Sequence, residues 1–135
     1  MSLPKLRFDK LTYCGIRDID NWEGQVIAEK KIRVLDVQET VDFIKNLDAP
    51  IHISFDVDAL DPELVCSTGT KVPNGLDTAD VKAIIGTALM TDKLVSLDVV
   101  EFNTALGDPK KSLKAVKEIF GNDPEGLTDE DDLIN

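Results

Sequence analysis

Asp56 and Asp58 are the two residues whose types and spacing are best suited to chemistry. Residues two positions apart on an extended strand point to the same side and are separated by roughly 6–7 Å of backbone. Both carboxylates can therefore reach one hard divalent ion, or a pair of ions, held by oxygen ligands. A strand end that carries two capping aspartates has the same pattern. The spacing alone leaves the metal site and the capping pair open.

His52 is the single histidine of the chain. It shares the strand parity of Asp56 and Asp58, but it lies about 13 Å before Asp56 along an extended strand. It cannot join Asp56 on one ion without a break in the strand, so the spacing predicts a packed or hydrogen-bonded histidine within the sheet. With one histidine, the chain alone can build neither a histidine-dependent catalytic triad nor a metal site with several histidines.

A loop rich in hydroxyl groups and glycine, residues 66–76, follows the aspartates. Such a loop can approach a substrate with its backbone and hydroxyl groups, and we name it the hydroxyl loop. It lacks the spacing of a phosphate-binding P-loop, and no Gly-x-Gly-x-x-Gly segment follows the first predicted strand, so nothing supports nucleotide binding. Cys66, at the start of the loop, is interpreted as incidental, because no basic residue is placed to lower the pKa of its thiol.

The elements that must position these groups alternate between strands and helices. Runs of β-branched and aromatic residues predict four strands, at 11–16, 32–35, 51–55 and 94–100. Apolar residues at spacings of three and four predict helices, with the weakest and shortest signal in the first of them, at 23–30, 37–47, 77–89 and 108–120. This alternation predicts an α/β fold with a mainly parallel sheet and helices on its faces.

Acidic residues follow three of the four predicted strands. In a parallel α/β sheet, the ligand site lies beyond the carboxyl ends of the strands. The acids at that position are Asp18, Asp20 and Glu23 after the first strand, Asp56 and Asp58 after the third, and Glu101 after the fourth. If these strands are neighbours, five or more carboxylates converge on one rim. Because like charges repel, such an arrangement makes sense when a cation lies among them.

The composition fits one small acidic domain. The chain has 135 residues, of which 26 are acidic and 15 basic, and its formal net charge is −11. This length predicts a single domain over residues 1–122. The segment 123–135 carries six acids and no base, which predicts a solvated, flexible tail, with an interaction tail as the alternative. The acidity disfavours a nucleic-acid partner and suits a cationic ligand or a metal ion.

Composition also bears on the cellular compartment. No apolar run approaches the ~20 residues that span a bilayer, and the first five residues lack the hydrophobic region of a secretory signal. No membrane association is therefore expected. Two cysteines, Cys14 and Cys66, do not make a disulfide framework, and a cytoplasmic location is expected.

Three segments of the chain resemble motifs of one enzyme family. Residues 54–62 (SFDVDALDP), followed by 67–70 (STGT), resemble the C-terminal metal motif of the arginases. Residues 15–20 (GIRDID) resemble the Gly-x-Arg-Asp-x-Asp segment of that family, and residues 97–103 (LDVVEFN) resemble its Leu-Asp-x-x-Glu-x-Asn strand end. The chain is thus similar, over about residues 11–121, to the C-terminal part of the arginases, which belong with the agmatinases to the ureohydrolase family.

The resemblance implies a fold, a cofactor and a reaction. It implies a three-layer α/β/α sheet and a site with two manganese ions that hydrolyses L-arginine to ornithine and urea. In that site, Asp56 would bridge the two ions and Asp58 would bind one of them. Glu101 would hold the guanidinium group of the substrate in a charge-assisted contact. Asp20 and Glu23 would lie near the α-amino end of the substrate with Asp18 supporting them, and Thr70 would line the pocket.

The sequence also departs from the family. Arginases take further metal ligands from a Gly-Gly-Asp-His motif and an Asp-Ala-His-x-Asp motif, neither of which is present. The region that would hold them, about half of a usual arginase, is absent, so we expect the isolated chain to be inactive. Self-association, or a complementing N-terminal half, would then cover exposed apolar strand edges. A non-catalytic scaffold that binds a cation, an amino acid or a partner protein is the alternative, and a smaller metal enzyme with another substrate stays open.

Overall fold

Strands and helices alternate along the chain, as the sequence predicts. The computed structural model describes residues 3–120, so the predicted acidic tail at 123–135 lies outside the described residues. The elements, in chain order, are β1 (Thr12–Cys14), α1 (Asn21–Glu29), β2 (Arg33–Leu35), α2 (Val37–Asn46), β3 (Ile51–Asp56), α3 (Thr78–Met90), β4 (Leu94–Val100) and α4 (Pro109–Ile119). One-turn 3-10 helices precede β1, at Phe8–Lys10, and follow β3, at Val57–Ala59.

Each α-helix begins at an aspartate that caps it. The helices α1, α2 and α3 start with capping boxes, in which the aspartate accepts a backbone N–H three residues on and the acid at that position accepts the aspartate's N–H. In α4, Asp108 accepts two backbone N–H groups and Pro109 occupies the first turn. A short side-chain acceptor satisfies N–H groups that have no partner within the helix. Local sequence therefore fixes where each helix begins.

The four strands form two parallel pairs. β1 pairs with β2 from Thr12 opposite Arg33 to Cys14 opposite Leu35. β3 pairs with β4 from Ile51 opposite Leu94 to Asp56 opposite Val100, with an irregularity after Ile51. The α/β class and the parallel pairing are confirmed. Within residues 3–120, however, the strands make two sheets rather than one, and β1 and β2 are only three residues long, so each offers few backbone groups for further pairing.

The core lies between β3 and the two C-terminal helices. Phe55 and Val57 are buried together with residues of α3 and α4, among them Val81, Ile85 and Ile119. Burying a large aliphatic or aromatic side chain stabilises a fold by about 1.5–3 kcal/mol. Because Phe55 and Val57 alternate with Asp56 and Asp58, packing of the apolar residues fixes the backbone that carries the two carboxylates.

The other face of the β3–β4 pair is polar and open to solvent. His52, Ser54, Ser96 and Asp98 lie on it, and all four are exposed. The helices pack side by side, α2 on α3 and α3 on α4. A second helix layer, which a three-layer α/β/α arrangement would place on the open face, does not cover these four residues in the described part of the chain.

Candidate functional site

Asp56 and Asp58 lie on a turn that we name the acidic turn, residues 56–61. Asp56 ends β3, and its Oδ1 accepts the backbone N–H of Asp58 at 3.0 Å. Val57 between them is fully buried. Asp56 is therefore a cap, since one of its oxygens closes the turn; the capping role is shown for this aspartate and not for Asp58. The second oxygen of Asp56 and the Asp58 carboxylate are not used by that bond.

The Asp58 carboxyl group is electrostatically unfavourable when ionised. Burial raises its pKa, the hydrogen bond and the negative charge of Asp56 raise it further, and Glu101 adds to the effect. The Arg17 guanidinium acts in the opposite direction, and the resulting pKa is about 6. Asp56, Asp58 and Glu101 are thus close enough to interact, which brings together acids from two of the three predicted strand ends. A cation bound among them would remove the repulsion.

Asp61, at the end of the acidic turn, has a structural environment. Its Oδ1 accepts the N–H of Glu63 at 3.0 Å and its Oδ2 accepts the N–H of Gly75 at 3.1 Å. These backbone donors lower the pKa of the Asp61 carboxyl group. Gly75 lies so close to the turn that a Cβ there would be 2.4 Å from the Asp61 nitrogen. The hydroxyl loop therefore packs directly on the acidic turn.

Arg17 connects the end of β1 to both loops. Its guanidinium donates to the carbonyl oxygens of Asp58 at 2.9 Å and Ala59 at 3.2 Å in the acidic turn, and to that of Val72 at 2.6 Å in the hydroxyl loop. The sequence motif contains this arginine but does not indicate its contacts, which span 41 to 55 positions of the chain for these three carbonyls. No local pattern would have revealed them.

Glu101 follows the last residue of β4 in an unusual backbone conformation. Its φ is +65°, in the left-handed region that L-residues with a Cβ rarely adopt. Two residues later, the N–H of Asn103 donates to the carbonyl oxygen of Ser67 at 2.7 Å, which ties this strand end to the hydroxyl loop. Strained backbone often marks functional positions. The sequence predicts Glu101 as a site residue from its motif, but no pattern in it indicates the strain.

Relief of this strain is testable with Glu101→Gly. We expect the substitution to raise the free energy of unfolding by up to about 1 kcal/mol, because glycine adopts the left-handed region without a steric penalty. Asp92→Gly is the matched control, since Asp92 has a φ of +56° away from the acidic turn. Urea unfolding of both variants measures the effect. A loss of stability in Glu101→Gly alone would mean that the Glu101 side chain makes stabilising contacts that outweigh the strain.

The acids after β1 form the start of α1. Asp20 Oδ1 accepts the N–H of Glu23 at 2.8 Å, and Glu23 Oε2 accepts the N–H of Asp20 at 2.9 Å. Both side chains are exposed, as are Asp18 and Thr70. The structure thus brings Asp20 and Glu23 together as a helix cap. Their assignment, with Asp18 and Thr70, to the substrate pocket stays a prediction.

His52 is hydrogen-bonded, as predicted, but its side chain is half exposed rather than packed inside the sheet. Its Nδ1 lies 2.6 Å from Ser96 Oγ, and its Nε2 lies 3.4 Å from Asp98 Oδ2. Both ring nitrogens therefore face groups on β4, on the open polar face. His52 does not join Asp56, in agreement with the distance argument from the sequence.

The prediction for the environment of Cys66 is wrong. The backbone N–H of Asp108, at the start of α4, donates to Cys66 Sγ at 3.1 Å. This bond is the main reason why the pKa of the thiol is lowered, and the charge of Lys71 contributes. The main donor is a backbone amide 42 positions away, which no count of neighbouring basic residues can detect. Both cysteines are free thiols, as expected.

The family model described as Arginase family matches residues 2–122. This chain belongs to the arginase family. It is 36% identical to the arginase of Glaciozyma antarctica over 117 residues and 38% identical to that of Emericella nidulans over 114 residues. These matches take in 77% and 76% of this chain but only 34% and 35% of the two arginases. The chain therefore spans about a third of the length of these curated relatives.

Solved structures of the arginase family share the fold. The structure of Entamoeba histolytica arginase in complex with L-ornithine superposes with a TM-score of 0.70 at 30% identity, over 84% of this chain and 44% of that one. Helicobacter pylori arginase gives a TM-score of 0.71 at 29% identity, over 85% and 43% of the two chains. The predicted membership of the family and its α/β fold are both confirmed.

The arginase family implies manganese, and the residues present fit it in part. Asp56 and Asp58 offer carboxylate oxygens, which suit one hard divalent ion whose remaining ligands are water. Within residues 3–120, however, no group of three or more histidine, cysteine, aspartate or glutamate side chains is placed to hold a metal ion. The described residues therefore fit one weakly held ion and not a complete two-ion centre.

Proposed function

We propose that this chain carries part of a manganese-dependent centre that hydrolyses L-arginine to ornithine and urea. The observation that supports this most directly is the grouping of Asp58 with Asp56 and Glu101, since burial and the negative charges of these two neighbours raise the pKa of Asp58 to about 6. Such grouping is unfavourable without a bound cation. A guanidinium group is itself a cation, so a carboxylate suits the proposed substrate as it suits the proposed metal ion.

Two of these acids bind the metal ion in this proposal and the third binds the substrate. Asp56 and Asp58 would hold the manganese ion through the oxygens that the acidic turn leaves unused. When bound, the ion makes a water molecule nucleophilic at neutral pH. Glu101, exposed at the end of β4, accepts charge-assisted hydrogen bonds from the substrate guanidinium. It thereby orients the guanidinium carbon towards the acidic turn.

The amino-acid end of the substrate needs other partners. In the α1 cap, Asp20 uses Oδ1 and Glu23 uses Oε2 for the backbone N–H groups, so each carboxylate has a second oxygen that can accept from the α-ammonium group. Asp18 supports them from the preceding turn. Thr70 lines the pocket from the hydroxyl loop, where its exposed hydroxyl can donate or accept. All four roles come from the family resemblance.

Activity is the direct test of this proposal. With two carboxylate ligands, the chain alone should bind Mn²⁺ weakly and release negligible urea from L-arginine. Isothermal titration with Mn²⁺ and a urea assay measure the two properties in the same preparation. Asp56→Asn should abolish the binding heat. Asp48→Asn is the matched control, because Asp48 is an exposed acid at the opposite end of β3 and should bind Mn²⁺ as the unchanged chain does.

Two outcomes would contradict different parts of the proposal. Turnover by the pure chain that Asp56→Asn abolishes would contradict our expectation that the centre is incomplete. Equal Mn²⁺ binding by Asp56→Asn and the unchanged chain would contradict the site itself.

A non-catalytic scaffold that binds a cation, an amino acid or a partner protein is the second candidate. Large apolar side chains that are mostly exposed favour a partner, since Trp22, Met90 and Val95 are 70%, 88% and 69% exposed. The partner would be a second copy or a complementing chain that carries the N-terminal metal motifs. Tight binding of two ions without turnover would favour this scaffold over the enzyme. Cytoplasmic location also stays a prediction. None of the helices described within residues 3–120 has both the length and the hydrophobicity of a membrane span.

A further inference from the structure

Arg17 links the motif after β1 to the acidic turn and the hydroxyl loop. It belongs to the segment after β1, and its guanidinium reaches the carbonyl oxygens of the acidic turn and of the hydroxyl loop. In the acidic turn, these are the oxygens of Asp58, Ala59 and Leu60, at 2.9, 3.2 and 3.4 Å. In the hydroxyl loop, Nε contacts Val72 at 3.1 Å and Pro73 at 3.2 Å, and Nη2 contacts Val72 at 2.6 Å.

This arrangement uses the shape of the guanidinium group. Arginine has five N–H donors in a rigid plane, so one side chain can bond carbonyl groups on two separate segments. Hydrogen bonds to a charged group are roughly twice as strong as those between neutral groups. A lysine ammonium has three donors at one point and cannot span the same carbonyls. The contacts therefore depend on arginine and not on positive charge alone.

The held carbonyls belong to the residues that carry the site. The Asp58 oxygen accepts from Arg17, while the N–H of the same residue donates to Asp56 Oδ1. The backbone of Asp58 is thus fixed on both sides.

We propose that Arg17 is a positioning residue, which holds the acidic turn in the geometry that presents the Asp56 and Asp58 carboxylates to a cation. Its metal-binding consequence rests on the proposed function. Its effect on the backbone of the turn does not, and the two can be measured separately. The role differs from a contact to substrate, because the guanidinium bonds only backbone carbonyls in the structure as described.

The test uses Arg17→Met, Arg17→Lys and the matched control Arg7→Met in the full chain. Arg7 is an exposed arginine that pairs with Asp9, so its substitution removes the same charge far from the acidic turn in sequence. Amide hydrogen exchange by NMR, without metal, follows the Asp58 N–H, with the Ile44 N–H of the buried face of α2 as the internal reference. Titration with Mn²⁺ follows metal affinity.

We expect Arg17→Met to speed exchange of the Asp58 amide about tenfold or more while Ile44 is unchanged, and to weaken Mn²⁺ binding about 10- to 100-fold, as is usual for residues that orient metal ligands. Arg17→Lys should show the same changes to a smaller extent. Arg7→Met should match the unchanged chain within about twofold in both measurements.

Other results would overturn either the role of Arg17 or the proposed function. Equal acceleration at Asp58 and Ile44 would overturn the proposal, because it would show a general loss of stability. Unchanged exchange at Asp58 in Arg17→Lys would overturn it too, and this variant decides the matter if Arg17→Met does not fold. If the unchanged chain binds no Mn²⁺, the proposed function fails, and the exchange of the Asp58 amide still decides the role of Arg17.

Discussion

Replacing Gly107 by alanine is expected to lower the free energy of unfolding by about 3 kcal/mol or more. Gly107 has a φ of +59°, in the left-handed region, and a Cβ there would lie 2.4 Å from the carbonyl oxygen of Cys66. The left-handed conformation costs an L-residue about 1–2 kcal/mol, and overpacking adds about 1–3 kcal/mol. The nearest obstacle is backbone and not the end of a flexible side chain, so it cannot move aside easily.

Gly86→Ala is the matched control for this experiment. Gly86 lies in α3, and a Cβ there would meet no atom within 4 Å beyond its chain neighbours and the backbone of its own helix. Alanine in a helix interior is favoured over glycine by about 1 kcal/mol, so this variant should be more stable than the unchanged chain. Urea unfolding followed by circular dichroism measures both variants from the midpoint and slope of the transition. A Gly107→Ala variant within about 1 kcal/mol of the unchanged chain would contradict the close packing of the two backbones.

The pattern of the sequence predicts most of the elements, and α3 shows why. Its apolar stripe places Val81, Ile85 and Ala88 on one face, and all three are buried. Its start follows from Asp77, whose side chain accepts the N–H of Asp80. Both signals are local, because a stripe and a cap depend on residues three or four positions apart. The same two signals predict α4, and the apolar stripe alone predicts α2.

Strand pairing is less visible in a sequence. The β-type runs identify the four strands, but alternation of apolar residues does not say which strand lies beside which. The structure pairs β1 with β2 and β3 with β4, and it leaves the His52 face of the second pair open. Parallel pairing and the position of the acids at strand ends were nevertheless predictable, because alternating strands and helices impose both.

The parts of the site that the sequence does not reveal depend on distant contacts. Arg17 bonds Val72 across 55 positions, and Cys66 receives its hydrogen bond from Asp108 across 42. Glu101 has a left-handed backbone conformation, which is typical of glycine and not of glutamate. Such features follow from the path of the whole chain. The family motif indicates which residues matter but not what holds them.

The backbone of the acidic turn is held by many contacts, but the turn provides few ligands for a metal ion. Burial of Phe55 and Val57 in the core anchors the acidic turn, and Arg17 bonds its backbone carbonyls. The hydroxyl loop adds Gly75, whose N–H bonds Asp61. The same turn offers a metal ion only the Asp56 and Asp58 carboxylates. The free energy of unfolding should therefore change with pH and on removal of a single carboxylate from the acidic turn, because its backbone is held in place while its carboxylates repel one another.

Asp58→Asn is expected to stabilise the metal-free chain at pH 8 and to leave its stability nearly unchanged at pH 4. Burial and Asp56 raise the pKa of Asp58 from 3.8 to about 6. A group whose pKa is raised on folding favours the fold while protonated, and that contribution is lost as the pH rises through its pKa in the folded chain. Because solvent screens this partly exposed carboxylate, we expect a gain of about 1 kcal/mol at pH 8.

Asp61→Asn in the same turn should have the opposite sign. The N–H groups of Glu63 and Gly75 lower the pKa of Asp61, so its ionised form stabilises the fold above the pKa of an unfolded aspartate. That contribution is lost as the pH falls through the lowered pKa. Asp61→Asn should therefore destabilise the chain at pH 8, and its difference from the unchanged chain should fade in acid.

Urea unfolding of both variants and of the unchanged chain at pH 4, 6 and 8, in the presence of a chelator, measures how the free energy of unfolding depends on pH. Added Mn²⁺ at pH 8 should then stabilise the unchanged chain more than Asp58→Asn, since the variant lacks one ligand. Equal pH profiles for Asp58→Asn and Asp61→Asn would show that the two aspartates have the same environment. That result would contradict the difference that we describe within the acidic turn. In it, negative neighbours destabilise the Asp58 carboxylate, whereas backbone N–H groups stabilise the Asp61 carboxylate.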